Sequence, residues 1–222
     1  AGVFTSNRVV AAPVVWSRVA VGDGVARAVI LNSGGANACT GPEGFADTHH
    51  TAEHTGDALG VDFGDVLVCS TGLIGQRLPM DLLLAGVTQA AADLATDGGP
   101  NAATAIMTTD SVSKETLISG EGWSIGGMAK GAGMLAPGLA TMLVVLTTDA
   151  VIDAATADAA LRAATGTTFD RVDSDGCMST NDTVILLASG ASGVSPNSDE
   201  FTAALELACA DLARQLVADA EG

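Results

Sequence analysis

Two aliphatic runs in this chain end in the same way. Residues 25–31 (VARAVIL) stop in Asn32-Ser33-Gly34-Gly35, and residues 65–70 (DVLVCS) stop in Thr71-Gly72. A short apolar run closed by small turn residues reads as a strand buried on both faces. A helical pattern at 45–59 separates the two, with its start expected near Thr40. The alternation continues along the chain. Residues 81–94 (DLLLAGVTQAAADL) read as a helix between Pro79 and Asp97-Gly98-Gly99-Pro100, and residues 103–108 read as a strand leading to Thr109-Asp110. A hairpin is expected around 119–122, followed by a glycine-rich segment at 126–138. A strand at 141–147 (TMLVVLT), a helix at 154–165, a strand at 182–189 and a helix at 200–220 complete the pattern. Strands that alternate with helices and end in small polar turns predict an α/β fold, mixed and layered, with an active site along strand ends. Such turns expose backbone N–H groups and hydroxyls, the material of oxyanion sites.

Composition narrows the core and the partners. Aromatic residues make up 3% of the 222 residues, tyrosine is absent and glycine numbers 27, so the core must be built from Ala, Val, Leu and Ile. The formal net charge of −17 repels phosphate backbones and anionic headgroups, which argues against nucleic-acid and membrane-surface partners. No apolar run approaches the roughly 20 residues of a membrane span. Cys39, Cys69, Cys177 and Cys209 are widely spaced and read as reduced, mostly buried thiols of a cytoplasmic protein. The chain begins at Ala1 rather than Met and stops directly after a helical pattern, as a piece of a longer protein would.

Only two residues are lysines, Lys114 and Lys130, and the second opens the run Lys130-Gly131-Ala132-Gly133-Met134-Leu135-Ala136-Pro137-Gly138-Leu139-Ala140-Thr141-Met142-Leu143. The glycine–lysine order excludes a phosphate loop. A threonine at a strand start is an ordinary β-former. It is also a nucleophile in waiting, provided that a base is at hand. An N-terminal threonine brings its own α-amine, with a pKa near 7.7–8, which would require cutting the bond between Ala140 and Thr141.

This run resembles the self-cleavage motif of the ornithine acetyltransferase (glutamate N-acetyltransferase) family. The likeness extends to Gly2-Val3-Phe4-Thr5, Leu31-Asn32-Ser33-Gly34-Gly35-Ala36-Asn37-Ala38-Cys39-Thr40-Gly41 and Cys69-Ser70-Thr71-Gly72-Leu73-Ile74-Gly75. It continues in Ile106-Met107-Thr108-Thr109-Asp110, Thr168-Phe169-Asp170-Arg171 and Ser179-Thr180-Asn181-Asp182-Thr183. The resemblance implies a layered αβ fold of the kind shared with self-processing aminopeptidases. It implies an α-subunit portion, 1–140, and the N-terminal part of a β subunit, 141–222, associating as a heterotetramer. Thr141 would be the nucleophile, Thr71 and Gly72 the oxyanion hole, and Thr108, Lys130, Thr141 and Glu221 the substrate contacts. The acetyl group would pass from N2-acetylornithine to glutamate, without a cofactor or metal, in arginine biosynthesis. Four points stay open: whether acetyl-CoA also donates, whether Thr108 or Thr109 meets the substrate, whether this length of chain is active or cleaves itself, and whether it is a paralogue with another acyl acceptor. The family's chain continues past Glu221 and supplies further substrate contacts from its tail.

Three rivals accompany this reading, one of them a non-catalytic binding protein, an acyltransferase relic, which the acidic surface and the partial site would allow. His50-Thr51-Ala52-Glu53-His54 fits H-x-x-E-H, in which two histidines on one helix face bind zinc and the glutamate acts as base. The Thr-type nucleophile and oxyanion pair also suit a self-processing aminopeptidase. Cys69 and Cys177 are poor nucleophile candidates, because no histidine has an evident route to either.

Overall fold

The computed structural model describes residues 1–134 and 142–221. Among the described residues, seven strands and six α-helices follow in the order β1 (Gly2–Phe4), α1 (Ala12–Ala20), β2 (Ala28–Gly35), α2 (Gly41–Leu59), β3 (Val66–Leu73), α3 (Met80–Ala92), α4 (Gly99–Ala105), β4 (Lys114–Ser119), β5 (Ser124–Lys130), β6 (Leu143–Thr148), α5 (Ala154–Thr167), β7 (Thr183–Ala188) and α6 (Ser198–Ala218). They form a five-stranded sheet in the order β1-β7-β6-β5-β4 and a parallel pair, β2 with β3. In the larger sheet β6 and β7 run parallel, joined by the α5 crossover, and the other neighbours run antiparallel.

Alternation along the strands builds four layers. Val144, Leu146, Val184 and Leu186 point to one face, where they are buried with Leu161 of α5 and Phe201, Leu205 and Leu212 of α6. Their neighbours Leu143 and Ile185 point the opposite way and meet Leu67 and Cys69 of β3. Val66 and Val68, the alternate residues of β3, turn outward to Ala52 of α2 and Trp16 of α1. The order is helices, sheet, strand pair, helices. A two-residue period in each strand sets it. Helix α1 also satisfies the backbone of β3: Ser17 Oγ donates to the Val68 carbonyl and accepts from its N–H, both at 2.8 Å, and Trp16 Nε1 donates to Val66 O at 2.9 Å.

Local sequence accounts for the helix ends. Asp153 and Asn197 cap α5 and α6 by accepting the N–H groups of Thr156 (2.9 Å) and Glu200 (2.8 Å). Gly60 closes α2 in the left-handed conformation. Thr40 occupies the N-cap of α2 but its hydroxyl donates to Asn37 Oδ1 instead of capping the helix.

Three sequence expectations are corrected. Of the residues expected as a strand at 103–108, 103–105 instead close the helix α4, which Pro100 starts at its N-terminal turn, and 106–108 follow it without regular structure. The glycine-rich segment expected from 126 opens as strand: Gly126 and Gly127 lie within β5 and pair with both β4 and β6. The thiols are not mostly buried, since Cys69 and Cys209 are interior while Cys39 and Cys177 are exposed. No helix among the described residues is long and apolar enough to cross a membrane.

Candidate functional site

The C-terminal ends of β2 and β3 meet the end of β5 at a cleft of about 600 Å3. Thr71, Gly72, Thr108, Lys130 and Glu221 all line it, with Ser33, Gly34 and Gly133 among their neighbours. Register explains part of the convergence. Ser33 pairs with Thr71 and Gly34 with Gly72, so both small polar turns of the strand pair lie at one end. Ser33 Oγ donates to the Ala105 carbonyl at the end of α4 (2.9 Å), which ties the segment that follows, Met107 to Asp110, to the same strand ends.

Lys130 is the centre of this arrangement. It is the last residue of β5, and only 2% exposed. A solvated loop cation it is not. Its Nζ donates to Thr108 Oγ1 at 2.8 Å and to Thr71 Oγ1 at 3.1 Å. Thr109 lines the cleft as well, but Thr108 holds the lysine. Because Thr71 Oγ1 accepts from Lys130, its own proton remains available to another acceptor. Lys130 also lies 3.8 Å from Asp110 Oδ2. Burial lowers the pKa of Lys130, with Asp110 and Asp182 opposing that shift and the nearby Lys114 ammonium adding to it.

Asp110, unassigned by sequence reasoning, organises the segment. Its Oδ1 accepts from Lys114 Nζ (2.8 Å) and the Gly131 amide (2.6 Å), and its Oδ2 from the Thr108 amide (3.1 Å). Burial alone would raise its pKa; Lys114 and the two amides hold it below the usual carboxylate range. Lys114 and Asp182 were also missed as site neighbours. Asp182 is fully buried at the start of β7, and its Oδ1 accepts from the Met142 amide at 3.2 Å. The pairing of two lysines in so acidic a chain was the available signal for Lys114; the motif ending in Asp110 was the signal for that residue.

Glu221 follows α6. Its amide donates to the Ala132 carbonyl at 2.7 Å, and its carboxylate rests over Gly133, where a Cβ would lie 3.2 Å from Oε2. Gly72 is in the left-handed region (φ +130°), and a Cβ there would fall 2.3 Å from the Gly34 carbonyl carbon. Only glycine fits. Ala140 and Thr141, the expected cleavage bond, lie outside the described residues, but Lys130 pairs in register with Leu143, two residues further along the chain.

The model of the ArgJ family matches residues 1–222. This chain belongs to the ArgJ family. It is 65% identical over 222 residues to the arginine biosynthesis bifunctional protein ArgJ of Streptomyces avermitilis, and 64% identical to that of Thermobifida fusca. Both matches take in 100% of this chain and 58% of the relative, so the chain spans little more than half their length. Among solved structures, ornithine acetyltransferase of Mycobacterium tuberculosis, complexed with ornithine, superimposes with a TM-score of 0.59 at 54% identity, over 64% of this chain and 77% of the other. The ArgJ protein of Bacillus halodurans gives 0.56 at 35% identity, over 64% and 75%. The mixed α/β architecture expected from the sequence is that of these ArgJ-family structures.

The rival sites stand apart from the ArgJ-family cleft. His54 Nε2 is 2.8 Å from Thr88 Oγ1, and Glu53 lies 3.6 Å from His49 Nδ1, outside the H-x-x-E-H pair. Among the described residues no three His, Cys, Asp or Glu side chains gather as a metal site. Cys69 points into the core with its thiol pushed up to about 12 by burial, which disfavours the nucleophilic thiolate, and Cys177 sits on an exposed loop.

Proposed function

We propose that this chain is part of an N-terminal-threonine acyltransferase that carries an acetyl group from N2-acetylornithine to glutamate through an ester on Thr141. The observation that carries the reading is the convergence of Thr71, Gly72, Thr108, Lys130 and Glu221 on one cleft, whose Lys130 pairs in register with Leu143, the first residue of β6 and two positions after Thr141. The names of the ArgJ relatives and the ornithine bound to the Mycobacterium tuberculosis enzyme support the same chemistry.

Maturation comes first. Thr141 Oγ attacks the Ala140 carbonyl carbon, the peptide bond shifts from N to O, and water hydrolyses the resulting ester. Ala140 leaves with a carboxylate, and Thr141 gains a free α-amine. In the first half-reaction this amine takes the proton of Thr141 Oγ as the oxygen attacks the acetyl carbonyl, then returns it to the departing ornithine nitrogen. In the second, the α-amine of glutamate attacks the ester and regenerates the hydroxyl. Each tetrahedral intermediate bears an oxyanion, for which the Thr71 hydroxyl and the Gly72 N–H are the donors. Lys130 pairs with the α-carboxylate of either amino acid, and Glu221 with the side-chain ammonium of ornithine. Recognition of charged amino acids favours transfer over the amide hydrolysis of an aminopeptidase. A cytoplasmic heterotetramer, with acetyl-CoA as a second donor, completes the proposal.

The test is the mass and N-terminal sequence of the purified protein, with acetyl transfer measured on the same sample. A terminus at Thr141, and transfer lost in Thr141→Ala, is the expected result. An uncut, fully active protein would sink the reading.

A further inference from the structure

Both lysines of this chain are buried, Lys114 at 0% and Lys130 at 2% exposure. They stand on adjacent strands, Lys114 pairing in register with Ala129, and both face Asp110. Asp110 does not treat them alike. It accepts a hydrogen bond from Lys114 at 2.8 Å, while Lys130 approaches only to 3.8 Å, within ion-pair reach but beyond a hydrogen bond. Lys114 Nζ also donates to Asp219 Oδ2 at 2.6 Å and to the Val112 carbonyl at 3.3 Å. Asp219 in turn accepts from the Ser111 amide and hydroxyl, two residues before Glu221.

Taking an ammonium out of water costs several kcal/mol unless it is fully partnered, so a second buried lysine calls for a reason. Without Lys114, Asp110 would be a buried anion whose nearest cation is Lys130. With it, Asp110 is satisfied by Lys114 and two amides, and Lys130 Nζ donates to the neutral hydroxyls of Thr71 and Thr108 on the cleft wall. We propose that Lys114 is a positioning residue for substrate binding: by holding Asp110 and Asp219 it keeps Lys130 from closing onto Asp110 and leaves that ammonium to an amino-acid carboxylate. The inference rests on Lys130 being the carboxylate contact.

The charged groups around Lys130 give the effect a sign. Asp110 precedes β4, Lys114 lies on β4, Asp182 directly precedes β7, and Glu221 lines the same cleft after α6. Thr71 of β3 contributes a hydroxyl, β6 and α4 carry no charged residue, and Asp219 at the end of α6 is bound to Lys114. Removing Lys114 therefore acts on Lys130 twice in one direction. A repelling cation disappears, and Asp110 draws the remaining lysine in. Lys130 becomes harder to deprotonate and less available to a ligand.

Steady-state transfer to glutamate should be followed from about pH 6 to pH 10 in protein expressed from its complete gene, with rates taken per cleaved chain. Dividing variant by parent at each pH cancels the titration of the substrate. Lys114→Met is expected to raise KM about tenfold with a smaller fall in kcat, as loss of a charged hydrogen bond would. It is also expected to move the alkaline limb of kcat/KM up by about half a pH unit or more. Lys114→Arg should recover both. If Lys114→Met fails to fold, Asp219→Asn carries the test with the opposite sign, because it adds net positive charge beside Lys130 and should move the limb down. A lowered melting temperature with KM and limb unchanged, or limbs moving against these signs, overturns the inference. Lys130→Met separates the two levels. If it leaves the glutamate KM unchanged, the reading of Lys130 fails; if it raises KM while Lys114 and Asp219 variants leave the limb in place, only this inference fails.

Discussion

Gly72 of β3 lies opposite Gly34 of β2 with no room for a side chain between them: a Cβ on Gly72 would approach the Gly34 carbonyl carbon to 2.3 Å and its oxygen to 2.5 Å. Gly72 also holds φ at +130°, where L side chains are strained. Gly72→Ala should therefore cost about 3 kcal/mol, combining backbone strain with displacement of the β2 end. Because that displacement moves Thr71, the loss of self-cleavage is expected to exceed what stability alone explains. Chemical denaturation and the fraction of cleaved chain by mass spectrometry measure the two effects, and a variant of parental stability would contradict the close packing.

Thr71 and Thr108 both accept from Lys130, yet they should respond differently to loss of the hydroxyl. Thr71→Val fits a buried strand and removes the proposed oxyanion donor, so self-cleavage and kcat should fall about 10²–10³-fold with KM little changed. Thr108→Val leaves the proposed oxyanion pair intact and loosens the lysine proposed to meet the carboxylate. KM for glutamate should rise by about fivefold, equivalent to one hydrogen bond near 1 kcal/mol, while the cleavage rate holds. A common effect on both parameters in both variants would argue against separate roles.

How these residues come together was only partly legible in the sequence. The strands at β2, β3, β6 and β7 and the helices α2, α3, α5 and α6 showed, because their periodicity is long and unbroken. Helix α1 did not: nine residues beginning beside Pro13 carry too little pattern, and its place is fixed by Ser17 and Trp16 bonding to β3. The hairpin expected around 119–122 joins β4 to β5, but the length of β5 was hidden by Gly126 and Gly127, which weaken any strand signal. Gly127 is glycine for packing reasons, since a Cβ there would lie 2.7 Å from Leu146 Cδ2. Helix α4 looked like a strand because its alanines and threonines suit either state, and Pro100 decided the matter. The cleft itself was legible only through resemblance. Thr71 and Lys130 are 59 positions apart, and nothing in their local sequences announces a 3.1 Å hydrogen bond. Asp110 lay in a recognised motif without a role, because its work is to bind backbone amides and lysines that the sequence does not align.

The H-x-x-E-H match is expected to be inert. His54 is engaged with Thr88 at an exposed position, so His54→Ala should change stability by no more than about 0.5 kcal/mol and leave transfer intact. Elemental analysis of parent and variant checks this: stoichiometric zinc that disappears with His54 would restore the metal reading.

Asp182 should make stability fall as pH rises through neutrality. Its Oδ1 accepts the Met142 amide, its Oδ2 has no hydrogen-bond partner among the described residues, and burial pushes its pKa up to about 8, against the opposing pull of Ser179, the Met142 amide, Thr5 and Lys130. An unfolded aspartate titrates near 3.9. From about pH 4 to about pH 8 the folded chain thus keeps a proton that the unfolded chain has released. In that window each pH unit removes up to about 1.4 kcal/mol of stability, and above it the penalty is constant. Asp182→Asn keeps the acceptor for Met142 and abolishes the titration. Its stability relative to the parent should rise steadily between pH 5 and pH 8 and then level off, as read from denaturation at each pH. A difference that stays flat across the window would mean that the carboxyl is ionised throughout, with a partner for Oδ2 when the protein is folded.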